Sequence, residues 1–405
     1  MDKIVKIITV PTQGAYYYED VEHLQKHPTP ESERAFTPST NSSFTFVREL
    51  AETVSVGVES ESGVISWGEC VGVSYAAKSG RHPTFRHGIG IREIGEGIKE
   101  RLLQRDITSF KELSNLVPRD LHPAVQYGVS QALLNLLADT KRRTPCEVIC
   151  EEWGLPLPTT PVPLQGSSGN ERKRNAEKMI LNRLEALPHS QIDDIPSQLG
   201  VEGELLLEYV TWLRERIVKD GGGDYQPIIH LDVHGAIGEI FKRDPERIAK
   251  YLTALEERAR PFRLRLESVV LGARRDETVS LLLALKRALA KIGSSVALVV
   301  DEWANTLDDI RVFALAKACD MVHIKMPDMG NLATTIDAVL ECKDLALLTL
   351  LGGSCVETDL SSRLSTHVAL ATRPDLFLAK PGMGIDEAIM ICRNEMRRTL
   401  ARISR

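Results

Sequence analysis

From residue 225 onward the chain repeats one pattern, a short apolar run followed by an amphipathic helix. "YQPIIHLDV" (225–233) precedes "DPERIAKYLTALEERAR" (244–260), and "FRLRLES" (262–268) precedes "DETVSLLLALKRALAKIG" (276–293). "SVALVVDEW" (295–303) leads into a helix over 306–319, and "MVHIKMPDMGN" (321–331) into one over 331–343. "LALLTLLGG" (345–353) and "LFLAKPGMG" (376–384) complete the series, with helices near 361–372 and 385–401. Strands joined through helices pair in parallel, so six such units in a row predict a parallel sheet. "TPVPLQG" (160–166) and a short element near 184–190 bring the strand count to eight, the number of a TIM-like (β/α)8 barrel. A doubly wound open sheet is the alternative, and it would be unusually wide.

Residues 1–155 read as a separate α+β unit. A strand over Lys3–Val10 is followed by a polar loop (about 24–42) and a β-meander that alternates over 53–58 and turns at Ser62–Gly63. Helices are predicted over 91–114 and 122–140 from their three-to-four spacing. The formal charge of −6, without a basic tract, argues against nucleic acid as a partner. The longest apolar runs, such as "LALLTLL" (345–351), are too short to span a bilayer, and the start carries no secretory pattern. Seven cysteines without CxxC pairs read as reduced thiols of a cytosolic protein, with Cys146 and Cys150 sharing burial on a helix.

In a barrel the chemistry sits at the carboxyl ends of the strands. The last polar residues of successive units are Asp232, Glu267, Asp301 and Lys325. Any one carboxylate there could simply start a helix. Three converging carboxylates repel one another unless a cation lies between them, and oxygen donors select a hard ion such as Mg²⁺. Lys325 is then either an ion-pair partner for one of these acids or a general base whose pKa is lowered by burial and a nearby metal. His230 and His234 flank Asp232 but lack the spacing of a helical zinc motif, so they read as core or supporting histidines.

The carboxylate trio followed by a lysine resembles the enolase superfamily. More narrowly, the chain resembles the 3-methylaspartate ammonia-lyase family, through "EALPHSQI" (185–192), "IIHLDVHGAIG" (228–238), "VVDEWANT" (299–306), "IKMPDMG" (324–330), "GGSCVET" (352–358) and "LAKPGMGIDE" (378–387). "GECVGVSYAAKSGRHP" (68–83) and "AVQYGVSQALLN" (124–135) extend the likeness into the first half. The resemblance implies a capping domain over 1–155, a catalytic barrel over 156–405 and Mg²⁺ on Asp232, Glu267 and Asp301. It further implies Lys325 as the base that takes the proton beside a metal-bound carboxylate, giving an enolate that expels ammonia. His189 is implied on the opposite face, as base for the other stereoisomer or as an electrostatic partner; on its own, a histidine after a proline reads as a surface or capping residue.

Gln165, Ser354 and Cys355 are implied at the distal carboxylate, with Ser74, His323 and Leu378 completing the substrate contacts. Cys355 is a contact in this reading and not a nucleophile, and "KPGMG" (380–384) lacks the order of a phosphate loop and reads as a tight turn. The family typically has glutamine where this chain has His323 and Ser74, threonine where it has Ser354, and phenylalanine where it has Pro163. Retained carbon–nitrogen lyase chemistry on an altered acid or amine is therefore expected, with an amino-acid substrate, a homodimer by resemblance, and a monovalent cation such as K⁺ left open beside Mg²⁺. The alternatives are a dehydratase or racemase of the same superfamily, against which the absence of a Lys-x-Lys pair over 178–190 counts, and a non-catalytic binding protein on the same fold.

Overall fold

The computed structural model describes residues 2–20, 23–24, 27, 29–41, 43–74, 78–192, 194–380 and 382–405. The turn predicted over 380–384 includes Pro381, which lies outside the described residues.

The first part carries a three-stranded antiparallel sheet, β1 (Ile4–Glu19), β2 (Arg48–Ser60) and β3 (Ile65–Cys70), in that spatial order. β1 runs beyond its predicted end at Val10 because it is an edge strand. Pro11 can oppose Val54 there, since its missing N–H is needed by no further neighbour. The aromatic run Tyr16–Tyr18 then favours extended chain. The single helix predicted over 91–114 is broken. One helical stretch ends at Leu102, and Phe110–Ser114 starts anew with Ser109 as its N-cap. Between them the chain turns back along β1, where Ile4 N–H donates to the Arg105 carbonyl (3.0 Å) and Gln104 N–H to the Ile4 carbonyl (2.8 Å). Sheet pairing has overridden helical periodicity.

The helix Pro123–Thr140 lies on β3 and is buried along almost its whole length. It can approach so closely because Gly68 and Gly128 face each other. A Cβ on Gly68 would stand 2.1 Å from the Gly128 carbonyl oxygen.

The remainder closes into the eight-stranded parallel barrel: β4 (Leu164–Gln165), β5 (Ala186–Gln191), β6 (Ile228–Asp232), β7 (Leu264–Glu267), β8 (Ala297–Val300), β9 (Met321–Lys325), β10 (Leu348–Gly352) and β11 (Leu376–Leu378). β11 pairs back onto β4, which rules out the open sheet. Alternation fills the barrel in layers. Ala186, Val299, Met321, Leu350, Leu376 and Leu378 form a closed apolar cluster inside it, apart from the main core between strands and helices. Two residues further along β6 and β9 the side chains are charged or imidazole.

Polar bonds sew the two parts together. Ser354 Oγ donates to the Gly72 carbonyl (2.7 Å), Ser114 Oγ to Asn331 Oδ1 (2.6 Å), and Tyr127 OH to Glu357 Oε1 (3.1 Å). Glu357 is in turn paired with Lys380 at 2.8 Å, both fully buried. The first part therefore caps the carboxyl-terminal mouth of the barrel.

Candidate active site

Strand register brings the predicted residues to one place. Asp232 stands directly opposite Glu267 across β6 and β7, and Asp301 follows the last residue of β8. On β9, His323 and Lys325 point the same way, two residues apart. Each of the two faces its own carboxylate. His323 Nδ1 lies 2.8 Å from Glu267 Oε1, and Lys325 Nζ lies 2.5 Å from Asp301 Oδ2.

Glu267 is the hub. Its other oxygen, Oε2, receives His189 Nε2 at 3.2 Å and His230 Nε2 at 3.0 Å, so three imidazoles surround one fully buried carboxylate. Burial opposes its charge, but His323 and His189 outweigh burial and hold it well below the ordinary carboxylate range. Burial pushes His230 down to about 4, so it is neutral and donates to Glu267 as a supporting residue, in agreement with its sequence reading. His189 is also buried, yet the adjacent Glu267 raises its pKa. It reaches the hub because β5 bulges. The pairing with β6 skips one residue between Pro188 and Ser190, and His189 takes up a left-handed φ of +43°. His189 is thus neither a surface nor a capping residue. In the ring of eight strands, β5 and β9 are four apart, so His189 and Lys325 enter from opposite walls.

Asp232 is the least compensated acid. Burial, then the negative charges of Glu267 and Glu302, push it up to about 8. A carboxyl pushed up by burial and by neighbouring carboxylates is what a cation would relieve, and hard oxygen donors stand on three adjoining strands. Donor atoms of Glu267, Asp301 and His323 lie within 4.8 Å of one another. Asp232 joins no such group among the described residues, so of the three predicted ligands Glu267 and Asp301 come together with His323 as the third donor, a set that fits a divalent cation. In the similar cluster of His189, His230 and Glu267, both imidazole Nε2 atoms lie on the one oxygen Oε2.

Lys325 is paired with Asp301, the first of the two roles its position suggested. Burial lowers its pKa, but Asp301 outweighs burial and the net direction is upward. Desolvation alone therefore does not ready the amine; charge must be drawn off Asp301. Ser354 also differs from a free contact, since its hydroxyl proton is committed to Gly72. Cys355 is half-buried, and burial pushes its thiol up to about 11, which suits a neutral contact and no thiolate nucleophile. Ser74 is buried beside it. Leu378 belongs to the inner apolar cluster and opposes Gln165 across β11 and β4. Pro163 instead lines a cavity of about 480 Å³ at the amino end of the barrel, with Arg183, Tyr225 and Arg263. It precedes β4 and lies at the far end from Lys325, so it does not wall the same pocket.

Two details become visible only in the structure, one at the predicted contact Gln165 and one at Gly352. Gln165 is wholly buried, and neither its Oε1 nor its Nε2 has a partner among the described residues, which marks an amide awaiting a ligand. Gly352 makes room for the His323 ring: a Cβ there would lie 2.0 Å from His323 Nε2. We expect Gly352→Ala to displace His323 from Glu267 and to cost about 1–3 kcal/mol of stability, measured by urea unfolding. An unchanged midpoint would show that the ring is free to move.

A closed eight-stranded barrel with a cap, and with acids, a lysine and histidines at its mouth, has the build of a capped (β/α)8-barrel enzyme. Comparison narrows the class. Family models for the methylaspartate ammonia-lyase N-terminus and C-terminus match residues 2–154 and 156–405. Methylaspartate ammonia-lyase 2 of Carboxydothermus hydrogenoformans is 38% identical over 100% of this chain and 99% of its own length. The crystal structure of Citrobacter amalonaticus methylaspartate ammonia lyase containing (2S,3S)-3-methylaspartic acid superposes with a TM-score of 0.95, at 38% identity and 100% coverage of both chains. The Mg complex of β-methylaspartase from Clostridium tetanomorphum does so at 0.91, with 37% identity and 99% coverage of each. The chain belongs to the methylaspartate ammonia-lyase family of carbon–nitrogen lyases.

Proposed function

We propose that the protein eliminates ammonia from 3-methylaspartate or a close aspartate analogue, giving an unsaturated dicarboxylic acid of the mesaconate type. The observation that carries this reading is the placement of Lys325 beside Asp301 and of His189 beside Glu267, on strands four apart in the barrel. Asp232, Glu267 and Asp301 would hold Mg²⁺, which supplies positive charge to the carboxylate next to the acidic carbon. Lys325 takes the proton from that carbon. The electron pair left behind forms the new double bond, and the C–N bond breaks to release ammonia. His189 stands on the other wall to serve the opposite configuration. Gln165 has the free donor and acceptor to orient the distal carboxylate, with Cys355 and the backbone around Ser354 beside it and with Leu378 below.

His323, Ser74 and Ser354 would set which acid and amine fit. We take the chain to divide near residue 155 into cap and barrel and to work as a cytoplasmic homodimer. Seven free cysteines suit the reducing compartment, and family likeness suggests the dimer. The test is ultraviolet detection of the unsaturated acid, and of ammonia, from a panel of aspartate analogues with Mg²⁺, for wild type and His323→Gln. Product from at least one analogue is expected, with a change in preferred substrate of at least about tenfold for the variant. No product from any analogue, in either direction, would overturn the reading. An unchanged preference would remove His323 as a specificity residue.

A further inference from the structure

We propose that Arg81, contributed by the cap, is a positioning residue that makes docking of the cap loop and assembly of the Asp301–Lys325 pair a single event. The inference rests on the roles of Asp301 and Lys325 given above. Arg81 is almost completely buried, and its guanidinium reaches three acids on two different barrel loops. Nε donates to Asp328 Oδ2 at 2.8 Å, Nη2 donates to Asp301 Oδ1 at 3.1 Å, and Nη1 lies 3.8 Å from Glu302 Oε1. Asp301 and Glu302 follow β8, while Asp328 sits in the short helix Met326–Met329 immediately after Lys325. The rigid fork therefore spans the two loops that carry the metal-side acid and the base.

The division of Asp301 is specific. Arg81 takes Oδ1, which leaves Oδ2 turned to Lys325. Without Arg81, the acids at 301, 302 and 328 would have Lys325 and His234 as their remaining close partners, and Asp301 would lose the bond that fixes its plane.

The segment that presents Arg81 is fitted to the same loops. Arg81 N–H closes a turn onto the Lys78 carbonyl at 2.9 Å, and Asn305 Nδ2 donates to the Ser79 carbonyl at 2.6 Å. Gly80 has φ +81°, and a Cβ there would press on Asn305 and the Trp303 ring at 3.2 Å. Trp303 itself is left-handed at φ +69°, so the loop after β8 is bent to receive the cap. His122 Nε2 holds the Pro83 carbonyl at 2.9 Å on the other side. Departure of the 78–83 segment would thus withdraw the support of Asp301, 220 residues away in sequence.

The experiment compares wild type, Arg81→Lys, Asp328→Asn and the double variant. Its readouts are Mg²⁺ affinity by calorimetry without substrate, hydrogen exchange of amides 78–82, and separate kcat and KM values. Lysine keeps the charge but cannot bridge two acids as a fork. For Arg81→Lys we expect Mg²⁺ binding weakened by about 10–100-fold, faster exchange over 78–82, and kcat reduced far more than KM is raised. Asp328→Asn leaves Arg81 and Asp301 in place and should move all three the same way by a smaller factor. The double variant should resemble Arg81→Lys, since both cut one link. Mg²⁺ affinity that is unchanged or tighter in Arg81→Lys would overturn the proposal, because a residue that only contributes charge repels the cation. Additive effects in the double variant would do so as well. Asp328→Asn keeps the test valid if Arg81→Lys folds poorly. Failure of wild type to release ammonia would strike the reading of the function, while the Mg²⁺ and exchange measurements would still decide the role of Arg81.

Discussion

Lys325→Ala is expected to lower kcat for ammonia release by about 10²–10⁴-fold or more while leaving the fold intact. The argument has two halves. The first is chemical: Lys325 is the amine on the β9 wall, and its ammonium is held at 2.5 Å by Asp301. Asp301 keeps that proton in place, so the lysine can act only when Asp301's charge is engaged elsewhere. On the function proposed above a divalent ion would engage Asp301, so removal of Mg²⁺ with a chelator should silence wild type as fully as the substitution does. The second half is structural. With Lys325 shortened, Asp301 still receives Arg81 at 3.1 Å, so it keeps a cationic partner. The melting temperature should move by only a few degrees, which separates loss of the base from loss of the protein. Because His189 enters from the opposite wall, the two single variants should divide by stereochemistry. Lys325→Ala should stop exchange of the substrate proton with solvent deuterium for one C3 epimer, and His189→Ala for the other. Retention of more than a tenth of wild-type turnover in Lys325→Ala would show that another group takes the proton.

The features legible in the sequence are those that repeat or that close in on a strand end. Six strand–helix units announce a parallel sheet, and period two along β6 and β9 places Asp232 with His230 and Lys325 with His323 on one inner surface. What escaped the reading depends on contacts between distant segments. The return of residues 104–107 along β1 cut a predicted helix in two, because sheet hydrogen bonds competed there with helical periodicity. Arg81 carried no local signal. It stands in a Gly-Arg-His turn, and the acids it meets lie more than 200 residues away. The raised pKa of Lys325 and the raised pKa of Asp232 are likewise outcomes of packing, since each depends on how many acids share the space and how much water is excluded. The bulge at His189 had one available sign, a proline-histidine step inside a short apolar run, but its direction into the barrel needed the register of β6.

The second large effect is expected at Glu267, where charge and stability cannot be separated. Glu267→Gln keeps the volume and removes the one anion that three imidazoles share. An amide has a single acceptor oxygen, and its NH₂ can bond only to a histidine nitrogen that carries no proton. At most two of the three contacts survive without a change of tautomer, and the His189 proton loses the carboxylate that raised its pKa. The site is fully buried, so water cannot replace what is lost. Breaking such a buried charged cluster from one side costs about 3–5 kcal/mol, a loss measurable as a shift of the urea midpoint at constant slope. Mg²⁺ affinity should fall beyond calorimetric detection, since the remaining acids, Asp232 and Asp301, are separated by the strand that carried Glu267. Glu267→Asp tests geometry against charge. It restores the anion but retracts it by one methylene, so the histidines that meet it from β5, β6 and β9 cannot all follow. We expect it to recover part of the stability and little of the Mg²⁺ affinity. Full recovery of both would mean that charge alone organises the hub. A Glu267→Gln protein as stable as wild type would mean that the three histidines do not depend on Glu267.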